Sequence, residues 1–271
     1  MAKIDNIRWS STADEATRTI FHGLLQSDLP ESEKSSARLA EESQNLLAEE
    51  SQNLLAAGTD STANTLTDIT YHLLSNPDKL QRLQSELRGV IPQGSLPKLS
   101  DIENLPYLSA AIQERLRLHP AVASRQERVA PDKDLLYTNE KTKKTYRIPA
   151  GTCLAMFPVL LSRLPEVHSS PQEFRPERSL ETSKLKRHQL TFSRGTRICA
   201  GINLAYQEMY MILAAIFTRY NAWDGTAKQK SLTLELFETT RRDVDCMRDL
   251  VTEVVPDDSK GVRIVLRAPW S

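Results

Sequence analysis

One cysteine, Cys199, stands between two glycines and two arginines in FSRGTRICAG, Phe192 to Gly201, just ahead of a long apolar segment. A lone cysteine is most often a small buried hydrophobe. Here the segment NLAYQEMYMILAAIFTRY is expected to form a helix from Asn203, apolar nearly all round and therefore a core element. The unpaired N–H groups and positive dipole end of such a helix favour thiolate over thiol, so Cys199 reads as an anionic ligand at the edge of the core. Gly195 and Gly201 permit sharp turns and close approach of a flat partner, and Arg197 carries a charge that can pair with a carboxylate.

Three other groups of residues could join that chemistry. Glu114 and Arg117 in QERLRLHP are spaced i, i+3 on an expected helix, normally an exposed pair worth about 0.2–0.5 kcal/mol. FRPERS, 174–179, adds Arg178, and SRQERVAPDKD adds Arg128, for which an exposed arginine is an equal reading. In AGTDST, 57–62, Gly58 interrupts a helical stretch at a cost of about 1 kcal/mol against alanine, with Asp60, Ser61 and Thr62 offering an acid and hydroxyls beside it.

The elements that must position these residues are mostly helices. Ser75-Asn76-Pro77-Asp78 starts one that places Leu80, Leu83 and Leu87 on one face before Gly89. Ser100 to Glu103 has capping-box spacing, and Pro106 opens a helix with the apolar stripe Leu108, Ala111, Ile112 and Leu116, ended by His119-Pro120. From about 125 to 160 alternation and the Pro149-Ala150-Gly151 corner predict small strands or hairpins, and GVRIVLRA, 261–268, predicts another strand. The octapeptide AEESQNLL occurs at 40–47 and again at 48–55, inside a helical stretch. Eight residues advance a helix by about 80° beyond two turns, so the repeat extends the helix by roughly 12 Å without continuing one face.

Composition limits the function. Lys plus Arg and Asp plus Glu are 35 each, so no net positive field would draw nucleic acid, and none is expected as a partner. Cys153, Cys199 and Cys246 form no CxxC pair, which argues against zinc, an iron–sulfur cluster or a disulfide framework. The longest apolar stretches, 153–161 and 209–217, fall short of the roughly 20 residues needed to span a bilayer.

FSRGTRICAG resembles the FxxGxRxCxG cysteine loop of the cytochrome P450 haem-thiolate monooxygenases, with every fixed position present. The resemblance implies a mainly α fold with small β hairpins, corresponding to the C-terminal part of the P450 fold with its N-terminal helices missing. It implies haem b (heme b, iron protoporphyrin IX) held by Phe192, Gly195, Arg197, Cys199 and Gly201, with Cys199 as the axial iron ligand. Thiolate donation to haem iron favours O–O cleavage, the general property of P450 ligation. Arg197 and Arg128 would face the propionates. QERLRLHP matches the family's ExxR and FRPERS its PERF-like segment, so Glu114, Arg117 and Arg178 would form one buried charge network, with Ser179 where the family has an aromatic. AGTDST corresponds to the distal, oxygen-side helix, making Asp60 the acid and Ser61 the alcohol of a proton relay, with Thr62 next to them.

The resemblance further implies O2 and a small hydrophobic substrate, with electrons from NADPH through NADPH–cytochrome P450 reductase docking near Lys184, Lys186, Arg187 and Arg194. CAGINLAYQE and LELFETTRRDV are most similar to fungal members of secondary metabolism, of the trichodiene-oxygenase type, acting on terpenoid-like compounds. Residues 1–271 are expected to form a single truncated domain. The family sits on the cytosolic face of the endoplasmic reticulum; without an anchor this chain is expected to be cytosolic or peripheral. Two functions follow: a haem-dependent monooxygenase, or a non-catalytic remnant of one.

Overall fold

The computed structural model describes residue 28 and residues 43–268 apart from 227, 228, 230 and 251; the side chains of 43–54, 183, 184, 186, 249, 250 and 253 are also outside the described residues. Two compact units divide at Ala57 and Gly58. Helix α1, Ser43–Leu74, holds residues 43–55 of the octapeptide repeat, whose first three residues lie outside the described ones.

The second unit is built from helices around one core. Helix α2, Pro77–Arg88, begins with proline in its first turn and buries Leu80, Leu83 and Leu87, the face expected from their spacing. The short helix α3, Leu99–Ile102, has Lys98 at its N-cap position. Ser100 is therefore inside the helix and bonds Asp101 at 2.9 Å, which corrects the capping-box expectation by two positions.

Helix α4, Pro106–Leu118, buries the expected stripe Leu108, Ala111, Ile112 and Leu116. Its first turn is capped from another helix: Glu86 accepts from the backbone N–H groups of Tyr107 and Leu108, each at 2.8 Å. Those orphan donors thus meet a carboxylate at the positive end of the helix.

Four strands follow. β1, Gln126–Val129, pairs antiparallel with β4, Cys153–Met156, around the hairpin of β2, Leu135–Thr138, and β3, Thr145–Ile148. Short helices α5, Pro158–Ser162, and α6, Glu177–Glu181, lead to the cysteine loop and α7, Ile202–Arg219. Beyond it β5, Asn221–Ala222, runs parallel to β6, Thr233–Leu236, which pairs antiparallel with β9, Ile264–Arg267. A separate hairpin joins β7, Arg248–Leu250, and β8, Thr252–Val254.

The core is shared by Ile69 and Leu73 of α1, the α2 and α4 stripes, and Met209, Leu213, Ala214 and Phe217 of α7. Gln84 fixes α2 to the end of α7 by donating to the carbonyls of Phe217 at 3.1 Å and Tyr220 at 2.8 Å. Helix α7 is less enclosed than its composition suggests. Leu204 is 58 % and Ile212 40 % exposed, so only one face is core, and the expectation of an all-round buried helix is corrected. No described helix is long and apolar enough to cross a membrane.

Candidate functional site

Helix α4 carries a buried charge network. Glu114 and Arg117 are nearly inaccessible, and Arg117 grips the carboxylate twice, Nε to Oε2 at 2.9 Å and Nη2 to Oε1 at 2.8 Å. Its other donors reach the carbonyls of Ser162, Pro171 and Glu173 at 2.8, 2.9 and 3.2 Å, so all of its N–H groups are used. Arg178 on α6 donates Nε to the same Oε1 at 3.2 Å and its terminal nitrogens to the carbonyls of Ser169 and Ser170. The backbone N–H of Arg175 adds a further bond to Oε1 at 3.0 Å.

One carboxylate thus faces two guanidinium groups, and surrounding carbonyl oxygens offset the excess positive charge. Burying such groups is tolerable only with this degree of pairing. Ser179 lines a crevice of about 20 Å³ with Glu114, Arg117, His168 and Arg178; the network keeps its bonds with a serine at that position.

The cysteine loop is tied to α4 at its upstream end. Gln189 donates to the carbonyl of Gln113 at 3.1 Å and Thr191 to that of Leu116 at 2.7 Å. Ser193 and Gly195 both have positive φ, 62° and 74°, turning the chain so that the N–H of Cys199 donates to the carbonyl of Phe192 at 2.9 Å. Gly195 suits that turn because the left-handed region costs glycine little. The Phe192 ring packs 5.3 Å from that of Tyr206 on α7.

Cys199 itself is exposed, and α7 begins at Ile202 with Gly201 as its N-cap residue. A Cβ at Gly201 would lie 4.0 Å from the Cys199 sulfur, an ordinary contact distance. Arg128 on β1 reaches this loop, donating to Ser193 Oγ at 2.5 Å, while Arg197 is exposed. Arg187 and Arg194 are exposed too, and Arg194 donates to the Arg187 carbonyl at 2.6 Å; the side chains of Lys184 and Lys186 lie outside the described residues.

On α1, Gly58 and Asp60 are exposed, Ser61 is half-buried and Thr62 buried. The three groups singled out in the sequence therefore do not share one environment. Nothing lies within 4 Å of where a Cβ of Gly58 would stand. Packing among the described residues gives no reason for glycine there. Gly58→Ala is accordingly expected to raise stability by about 0.5–1 kcal/mol, which chemical denaturation of the chain checks.

Sequence reasoning missed a second buried pair. Arg115 is 1 % exposed and donates Nε and Nη2 to Asp68 Oδ2 at 3.1 and 2.6 Å. A helical Asp and an Arg 47 positions later leave no local signal of their meeting. His72 and His119 lie beside this pair, their rings 5.8 Å apart.

Burial lowers the pKa of His72 to about 3 and of His119 to about 4, and His168, buried beside Arg117 and Arg178, is also lowered to about 4. Each is neutral in the fold and takes up a proton more readily once unfolded. Stability from these groups is therefore intact above the unfolded value of 6.5 and falls as pH drops from there toward about 4. Urea midpoints measured across that range are expected to decline steadily, and replacing His72 by phenylalanine should flatten the slope.

Among the described residues no cluster of three or more His, Cys, Asp or Glu gathers as a metal site. The loop that carries the exposed Cys199 sulfur is anchored to α4, the helix that also carries the buried charge network. The sequence profile of the family "Cytochrome P450" matches residues 2–242, and the chain belongs to that family.

Among known proteins it is 39 % identical to "Cytochrome P450 monooxygenase tpcC" of Cochliobolus heterostrophus, over 97 % of this chain and 49 % of that protein. It is 41 % identical to "Cytochrome P450 monooxygenase astB" of Talaromyces wortmannii, over 93 % of this chain and 50 % of that one. With "N-acetyltryptophan 6-hydroxylase ivoC" of Emericella nidulans it shares 34 % identity, over 92 % and 45 % respectively. The chain spans about half the length of the relatives it matches.

Proposed function

We propose that this chain carries the haem-thiolate centre of a monooxygenase that inserts one oxygen atom of O2 into a small hydrophobic, terpenoid-like or other secondary-metabolite substrate. The observation that supports it most directly is the exposed Cys199 on a loop shaped by Gly195, Gly201 and the bond from Cys199 N–H to the Phe192 carbonyl. Haem, when bound, supplies O2 activation, the part of the chemistry that side chains cannot perform.

Each residue then has a limited task. Cys199 would supply the sulfur that holds the haem iron, from a loop that ends where α7 begins. Arg197 and Arg128 offer charge to the propionates; Arg128, already held by Ser193, would need to share that bond. Gly58 would leave room beside the haem, and Asp60 and Ser61 would hold and pass protons from α1. Glu114, Arg117 and Arg178 touch no reacting atom and keep the segment before the loop in place.

Electrons would come from NADPH through NADPH–cytochrome P450 reductase at the cytosolic face of the endoplasmic reticulum. Docking through Arg187 and Arg194 would weaken with salt. The relatives, two monooxygenases and a hydroxylase by name, support oxygen insertion as the reaction class.

The exposure of Leu204 and Ile212 on α7 favours a second reading, a non-catalytic remnant that binds a partner through its exposed helices. Incubation of the haem-loaded chain with reductase, NADPH, isotopically labelled O2 and a panel of terpenoids separates the two. Product carrying one labelled oxygen atom supports the monooxygenase; NADPH consumption that yields only peroxide supports the remnant.

A further inference from the structure

Helices α1 and α4 meet along a buried polar seam. Asp68 and His72 stand one turn apart on α1, and Arg115 on α4 stands four residues before His119, the residue that caps that helix. Besides its two bonds to Asp68, Arg115 donates Nη1 to the carbonyl of His119 at 2.5 Å, so a single guanidinium joins the acid of one helix to the C-terminal end of the other. The His72 ring stacks on Phe174 at 4.5 Å with the planes 4° apart, closing the seam on its far side.

A buried ion pair adds little net stability compared with apolar residues of the same size, because desolvation offsets its attraction. What it does supply is geometry: two donors of a planar guanidinium converge on the single oxygen Oδ2, which restricts where the carboxylate can sit. We propose that Asp68 and Arg115 are positioning residues, a clamp that sets the rotation and register of α1 against α4 and thereby the placement of Gly58 to Thr62.

Helical arithmetic connects the clamp to those residues. Ser61 and Asp68 are seven residues apart, which is within about 20° of the same helix face. Rotating α1 enough to break the fork would turn Ser61 by the same angle. At the other end of the clamp, Arg115 lies between Glu114 and Arg117, so α4 holds the α1 acid and the network before the cysteine loop within one turn. Thr65, between Ser61 and Asp68, bonds the Ser61 carbonyl at 2.8 Å and is 2 % exposed, so the connecting segment is packed.

The inference rests on the reading of Gly58 to Thr62 as the oxygen-side segment, and its test does not need turnover. Hydrogen exchange is measured across α1 and α7 in the whole chain for Asp68→Asn and for the exchanged pair Asp68→Arg/Arg115→Asp. Leu83→Ala, in the α2 core, serves as a control for general loss of stability.

The clamp predicts that Asp68→Asn speeds exchange at residues 59–68 at least about tenfold more than at α7, that Leu83→Ala affects both alike, and that the exchanged pair recovers part of the protection. Equal acceleration of α1 and α7 in Asp68→Asn would overturn it. Should Asp68→Asn fail to fold, Arg115→Lys, which keeps the charge and loses the fork, is judged by the same comparison. The reduced carbon-monoxide spectrum of the haem-loaded variant is read in parallel, with its thiolate character expected to persist. Absence of that character in the unmodified chain counts against the haem reading alone, whereas the exchange pattern decides the clamp.

Discussion

Glu114→Gln, a same-sized change that removes the charge, is expected to remove about 3–5 kcal/mol of stability. The carboxylate accepts from Arg117 twice, from Arg178 once and from the backbone of Arg175 once. Glutamine presents one oxygen and an amide that points its own hydrogens at a guanidinium. Two buried positive charges then face each other with only carbonyls for compensation. Since a domain of this size holds about 5–15 kcal/mol in total, the change would remove a large share of the stability. Urea unfolding followed by circular dichroism checks the loss, with exposed Glu103→Gln as the control expected to stay within about 0.5 kcal/mol. A Glu114→Gln midpoint equal to the control would mean that the network contributes no net energy.

Cys199→Ala is expected to separate fold from ligand. The side chain is exposed, and the loop's internal bond uses the Cys199 backbone N–H, which alanine retains. Stability should therefore change by less than about 0.5 kcal/mol. Haem retention through gel filtration should be lost, because the remaining candidate contacts, Arg128 and Arg197, offer charge and no iron ligand. Equal retention by the two proteins would assign haem contact to some other group.

These two residues also show what could be read from sequence. The turn ahead of Cys199 was legible because a glycine carries backbone meaning: Gly195 takes φ 74°, so the residue type reports the loop's shape. The apolar stripes of α2 and α4 were legible for the same reason, since periodicity is local. Glu114 and Arg117 alone looked like a solvated i, i+3 pair; only the family pattern brought in Arg178, 64 positions from Glu114.

Asp68 and Arg115 had no such pattern. Their burial follows from α1 and α4 crossing, which no window of either helix contains. The cap on α4 was hidden likewise, because its acceptor Glu86 belongs to the preceding long helix and lies 21 and 22 positions from the two donors. Apolar content misled at α7, where it reported what the helix can bury, while Leu204 and Ile212 remain exposed among the described residues.

Reduced carbon-monoxide difference spectroscopy of the unmodified chain reconstituted with haem tests the central claim most directly. A thiolate-type Soret band, appearing in proportion to bound haem, is the predicted result. A band of the imidazole or neutral-thiol type, or no uptake of haem, would contradict it.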